Sequence, residues 1–105
     1  MQDPKQQLTA SEIADAGLTG WRHVDDTLTA RFRTGSFATG LELVNRVGAS
    51  AEAANHHPDV QLTYGAVEVT LTSHDAGGVT GRDLRLAREV SEHATAMGIE
   101  TAEHR

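Results

Sequence analysis

No cysteine occurs in the 105-residue chain. A disulfide scaffold, thiolate metal ligation and a cysteine nucleophile are therefore excluded, and a reducing compartment fits. Aromatic residues are scarce: Trp21, Phe32, Phe37 and Tyr64 are the whole set. With a hydrophobic share of 38%, most of the core must come from Val, Leu and Ala. A core that thin predicts self-association as added stability. Basic charge is short as well. The formal net charge is -6 with histidines neutral, so the basic face needed for direct nucleic-acid binding or for an anionic membrane surface is missing. No apolar run approaches a membrane span, and the opening MQDPKQQ has no signal-peptide core. These absences predict a soluble cytoplasmic protein. The length suits one domain. Residues 1–8 read as a flexible lead-in and residues 9–105 as a single domain.

What is present is ordered punctuation. Thr9 and Glu12 have capping-box spacing, so a helix starts there, with Ile13 and Ala16 as its apolar face and Gly17 as its stop. Trp21 and Val24 lead into the turn signal Asp25–Asp26. Leu28, Ala30 and Phe32 then alternate with Thr29, Arg31 and Arg33, the period of a half-buried strand. Ser36 can cap a second helix, whose apolar face is predicted as Phe37, Leu41, Val44, Gly48 and Ala51, running to about Asn55. Val67, Val69 and Leu71 alternate with Glu68, Thr70 and Thr72, after a short strand and a turn at Gly65. Thr80 and Asp83 open a last helix lined by Leu86, Ala87, Val90, Ala94 and Met97, with Gly98 as its end. The order is α-β-β-α-β-β-α. Short connections favour antiparallel pairing, so the fold class is α+β: a four-stranded antiparallel sheet with three helices packed on one face. The two strand edges invite pairing with a second copy; the sequence does not choose the strand, since TLTARFRT (residues 27–34) has the cleanest alternation but its Arg31 and Arg33 could equally block pairing.

The chemistry gathers at NHHPD, Asn55–Asp59. If the second helix runs through His56, Glu52 lies four residues before it on one face and can orient its ring. The residue before a proline avoids the helical region, so His57 lies outside the helix. A hairpin of the third and fourth strands would return His74 towards this turn. Three readings stay open on the residues alone: solvated surface, a three-histidine zinc site, or a proton-transfer site. Adjacent histidines are poor co-ligands, because their side chains diverge. Elsewhere, His23 reads as an exposed strand residue and His93 and His104 as exposed. Asp83 reads as a cap, and Tyr64 as a packing residue or a ligand contact.

Taken together, Glu52, His56–His57–Pro58–Asp59, Tyr64, His74 and Asp83 resemble the signature of the pterin-4a-carbinolamine dehydratases. The resemblance implies a four-stranded antiparallel sheet with helices on one side, and dehydration of a 4a-hydroxytetrahydropterin to the quinonoid dihydropterin. It implies His56, His57 and His74 as catalytic residues. Glu52, Pro58, Asp59, Tyr64 and Asp83 would be substrate-binding or supporting. No metal and no cofactor is implied, the pterin being the substrate, and members are commonly dimers or tetramers. Val60 and Gln61 depart from the aromatic common after the paired histidines. The alternative, also present among such proteins, is a non-catalytic module on the same fold that binds a protein partner as an assembly factor or coactivator.

Overall fold

The structure is a computed structural model that describes residues 6–102. Residues 1–5 of the expected lead-in and His104 lie outside the described residues. Each helix begins where a side chain answers its first free amides. Thr9 Oγ1 accepts from Glu12 N at 3.1 Å and Glu12 Oε1 accepts from Thr9 N at 2.9 Å, which starts α1 (Ala10–Asp15). Ser36 Oγ accepts from Thr39 N at 3.2 Å at the head of α2 (Phe37–Ala54). Thr80 and Asp83 form a second capping box ahead of α3 (Gly81–Ala96). Between the helices run β1 (Arg22–Val24), β2 (Thr27–Arg33), β3 (Asp59–Thr63) and β4 (Ala66–Leu71), and a 3-10 turn covers His74–Ala76.

The strands form one antiparallel sheet in the order β1-β2-β4-β3. A fifth strand, β5 (Glu100–Ala102), was not expected. It pairs with Arg31–Arg33 of β2, continuing the edge that β1 begins. Three residues are too few for alternation to register in the sequence; tertiary pairing makes the strand. One consequence removes a candidate for edge pairing. With β1 and β5 on one side and β4 on the other, β2 is interior and offers no edge to a second copy.

Alternation decides which side of the sheet is covered. Leu28, Ala30 and Phe32 of β2 and Val67, Val69 and Leu71 of β4 are buried. They share one core with Leu43 and Val47 of α2 and Leu86 and Val90 of α3. The few aromatics are used economically. Phe32 is fully buried, which stabilises by about 1.5–3 kcal/mol. It meets Trp21 edge-on at a centroid distance of 6.1 Å, and the Trp21 indole N–H donates to Ser91 Oγ at 2.8 Å. The intervening residues of β2 and β4, among them Thr29, Arg31, Glu68 and Thr70, belong to the uncovered face.

The predicted face of α2 is corrected. Gly40, Leu43, Val47 and Ala51 are its buried residues, while Phe37 is 48% and Leu41 45% exposed. Both stripes have helical spacing. The core takes the one containing Gly40, because a Cβ there would stand 2.6 Å from Leu62 Cδ1 and 3.3 Å from Val67 Cγ2. Only glycine lets the helix approach β3 and β4 so closely. Leu8, counted above with the lead-in, is buried, and its N–H donates to Val79 O at 2.8 Å. Among the described residues no helix is long and apolar enough to cross a membrane.

Candidate active site

The site is made by the way α2 ends. Asn55 adopts the left-handed conformation, φ 50° and ψ 43°, which asparagine tolerates better than most residues. The Asn55 and His56 amides close the last turn onto Glu52 O at 3.2 Å and Ala51 O at 3.1 Å. The helix therefore stops one residue before the first histidine. That corrects the expected Glu52–His56 pairing on one helical face. Reversal of the chain instead brings the His57 ring to the Glu52 carboxylate, through Nε2 and Oε2. Pro58 follows and leads the chain into β3 at Asp59.

His56 turns the other way, towards the start of α3. Its Nε2–H donates to Asp83 Oδ1 at 2.6 Å. Asp83 is completely buried, and its second oxygen accepts from Thr80 N at 2.9 Å and from Ser73 Oγ at 2.8 Å. The residue expected to cap α3 does so, and with its other oxygen it holds a histidine. A neutral ring held through Nε2–H carries its lone pair on Nδ1. The side chain of His56 is 11% exposed and that of His57 56%. One ring is closed in and the other open.

His74 reaches the same end of the sheet by register. Asp59 of β3 pairs with Thr70 of β4, so the segment beyond Leu71 runs alongside the His57–Pro58 turn. His74 opens the 3-10 turn there and is exposed, directly after the Ser73 that bonds Asp83. Tyr64 is separated from this group. It stands at the β3–β4 turn, 73% exposed, at the opposite end of β3 and about 17 Å of strand away. Asp59 is exposed and pairs with Thr70 on the uncovered face. Among the described residues no three His, Asp or Glu side chains are grouped to hold one metal ion.

A family model described as pterin 4 alpha carbinolamine dehydratase matches residues 6–93. The chain belongs to that family. A relative from Picosynechococcus sp. is 45% identical over 83 residues, 77% of this chain and 90% of the relative. One from Koribacter versatilis is 40% identical over 87 residues, 81% and 93% of the two chains. Both bear the name "Putative pterin-4-alpha-carbinolamine dehydratase". A crystal structure of a transcriptional coactivator/pterin dehydratase from Brucella melitensis superposes with a TM-score of 0.81 at 34% identity, covering 85% of this chain and 99% of that one. A pterin dehydratase-like protein identified as a RuBisCO assembly factor in the alpha-carboxysome shares the fold, at a TM-score of 0.61 and 24% identity over 71% of this chain and 89% of that one.

Within the dehydratase family's signature, the fold thus gathers Glu52, His56, His57, Pro58, His74 and Asp83 at one end of the sheet and leaves Tyr64 at the other. A concavity of about 700 Å³ lined by Arg31, Arg33, Thr63 and Glu68 lies on the uncovered sheet face. No imidazole among the described residues lines it, so size alone does not make it the site. The sequence reading does not pick out Ser73, and it gives Thr80 only as a helix start. Ser73 and Thr80 are buried and bonded to each other and to Asp83. A signal for Ser73 existed: it extends the inward series Val67, Val69, Leu71, so a polar residue stands where burial was due. His93, expected to be exposed, is half-buried and shares a 2.7 Å hydrogen bond with Ser50 Oγ.

Proposed function

We propose that this protein dehydrates a 4a-hydroxytetrahydropterin to the quinonoid dihydropterin. The observation that carries the reading is the pair of adjacent imidazoles, each held through Nε2 by a different carboxylate, His56 by Asp83 and His57 by Glu52. Such pairing fixes which ring nitrogen is offered to a substrate. The reaction breaks the C4a–O bond. An acid protonates the departing hydroxyl, which leaves as water. A base takes a proton from a ring nitrogen, whose electron pair becomes the new C=N bond. One imidazolium and one neutral imidazole suffice for both transfers. The exposures favour a division of labour: His57 and His74 meet the pterin, and the enclosed His56 fixes the turn that presents them. Stopped-flow mixing with chemically generated 4a-hydroxytetrahydropterin tests this. The wild type accelerates water loss over buffer, and His57→Ala and His74→Ala each reduce the rate by about 10²- to 10⁴-fold. A wild type no faster than buffer removes the dehydratase reading and leaves the protein-binding alternative.

We also propose that the chain self-associates through α2. Phe37 and Leu41 are exposed, Val44 beside them is half-buried against the core edge, and nothing lies within 4 Å of a Cβ added at Gly48, so the four make one apolar stripe on the outer side of α2. The stripe is self-complementary. In an antiparallel pairing about a two-fold axis between residues 42 and 43, Phe37 faces Gly48 and Leu41 faces Val44 of the second copy. The proposed contact lies on a helix face, whereas the sequence points to the strand edges.

A further inference from the structure

The Asp83 carboxylate ends a chain of hydroxyl groups whose direction is forced. Ser73 Oγ has one proton and two neighbours, Asp83 Oδ2 at 2.8 Å and Thr80 Oγ1 at 2.9 Å. A carboxylate only accepts, so the Ser73 proton goes to Asp83 and Ser73 accepts from Thr80. Thr80 Oγ1, its own proton committed, accepts from Arg82 N and Arg82 Nε, each at 3.3 Å. The Arg82 guanidinium also donates to Asp75 Oδ1 at 2.6 Å, and Asp75 follows His74 in the chain. A continuous string of hydrogen bonds therefore links the His74 turn to the carboxylate that holds His56. Ser73 and Thr80 are 1% and 0% exposed, so bulk water does not reach either hydroxyl.

We propose that Ser73 is a positioning residue: it holds Asp83, and through Asp83 the His56 ring, in register with the His74 turn that it immediately precedes. The kinetic consequence rests on the dehydratase reading; the geometry does not. Without the Ser73 hydroxyl, Asp83 Oδ2 keeps only the Thr80 amide and the Thr80 proton loses its acceptor. The carboxylate plane is then less constrained, and the ring bonded to its other oxygen follows it. The backbone of Ser73 is anchored separately. Its N–H donates to Gly78 O at 3.0 Å and its carbonyl accepts from Gly78 N at 3.3 Å. Truncation to alanine thus removes the hydroxyl while leaving the segment tied down.

The test uses the full chain and a double-mutant cycle. Ser73 and His56 share Asp83 as a partner, so coupling between them reports transmission through it. Ser73→Ala is expected to lower kcat about tenfold with KM within about twofold. Ser73→Thr, at a backbone of φ -113° and ψ 97° that suits a β-branched residue, restores most of the rate. In a His56→Ala background, Ser73→Ala changes kcat by less than about twofold. A tenfold loss in both backgrounds, or a folded threonine variant as slow as alanine, overturns the proposal. A second arm needs no activity. The His56 Nε2–H proton gives a sharp hydrogen-bonded NMR resonance in the wild type and a broadened or missing one in Ser73→Ala, with the backbone amide spectrum otherwise kept. An unchanged resonance in Ser73→Ala overturns the proposal even if the wild type proves not to be a dehydratase. A wild type that fails to dehydrate while the resonance behaves as expected removes only the functional reading. Should Ser73→Ala not fold, Ser73→Cys carries the same measurements, with the same results for and against.

Discussion

Asp83 has two tasks that one substitution can separate. It caps α3 and accepts from Ser73 through Oδ2, and it holds His56 through Oδ1. In Asp83→Ala all three donors lose their acceptor. The lost capping bond strands the Thr80 amide, fully buried, at a cost of about 1–3 kcal/mol. One hydroxyl proton of the Ser73–Thr80 pair is stranded as well, because each oxygen can donate to the other only in turn, and adds a similar amount, whereas the His56 ring, 11% exposed, keeps an edge to water. The expected loss is about 2–6 kcal/mol, a large part of the ~5–15 kcal/mol by which domains are stable. Asp83→Asn behaves differently. Its carbonyl oxygen must take the Oδ2 position, because the reverse orientation would point an NH₂ at the Thr80 N–H, donor against donor. Cap and Ser73 bond survive, and stability falls by no more than about 1 kcal/mol. The asparagine NH₂ now faces His56 Nε2, which can only accept. The ring proton moves to Nδ1, the nitrogen formerly offered as a lone pair. Urea denaturation should separate the two variants, ring ¹⁵N shifts should show the exchanged tautomer, and dehydration should slow by about 10²-fold. If asparagine destabilises as much as alanine, or His56 keeps its proton on Nε2, the reasoning about Asp83 is wrong.

The two glycines on α2 predict opposite signs. Gly40→Ala should destabilise by about 1–3 kcal/mol through overpacking against Leu62, whereas Gly48→Ala, with open space around it, should raise monomer stability by about 0.5–1 kcal/mol; thermal melts of each at low protein concentration check both. Leu41→Glu should convert a dimer or tetramer to a species of one chain mass in light scattering while the fold survives, since Leu41 is outside the core. Tyr64→Ala should leave kcat and KM within about twofold, because the tyrosine stands about 17 Å of strand from the histidines.

Sequence and structure agree wherever the signal is local. The capping boxes at Thr9–Glu12 and Thr80–Asp83, the cap at Ser36 and the alternation of β2 and β4 are all present. Disagreements arise where spacing is ambiguous or a partner is distant. Helix α2 carries two apolar stripes of equal periodicity, and only the contact of Gly40 with Leu62 and Val67 selects the buried one. Asn55 ends the helix by one left-handed residue, a conformation that periodicity does not register, and that single residue exchanges the histidine that Glu52 meets. Asp83 is legible as a cap because its partner is three residues away. Its bond to His56 spans 27 residues of sequence and depends on how α2 and α3 lie together. Strand β5 exists only because β2 offers it a ladder.

The most direct test of the account is a crystal of this protein soaked with a dihydropterin. The account predicts ring density against His57 and His74, at the end of the sheet where Asp83 holds His56, with both carboxylate–imidazole pairs intact. A pterin seated instead in the concavity of Arg31, Arg33 and Glu68 on the uncovered sheet face, or none at the histidines under saturating ligand, would contradict it.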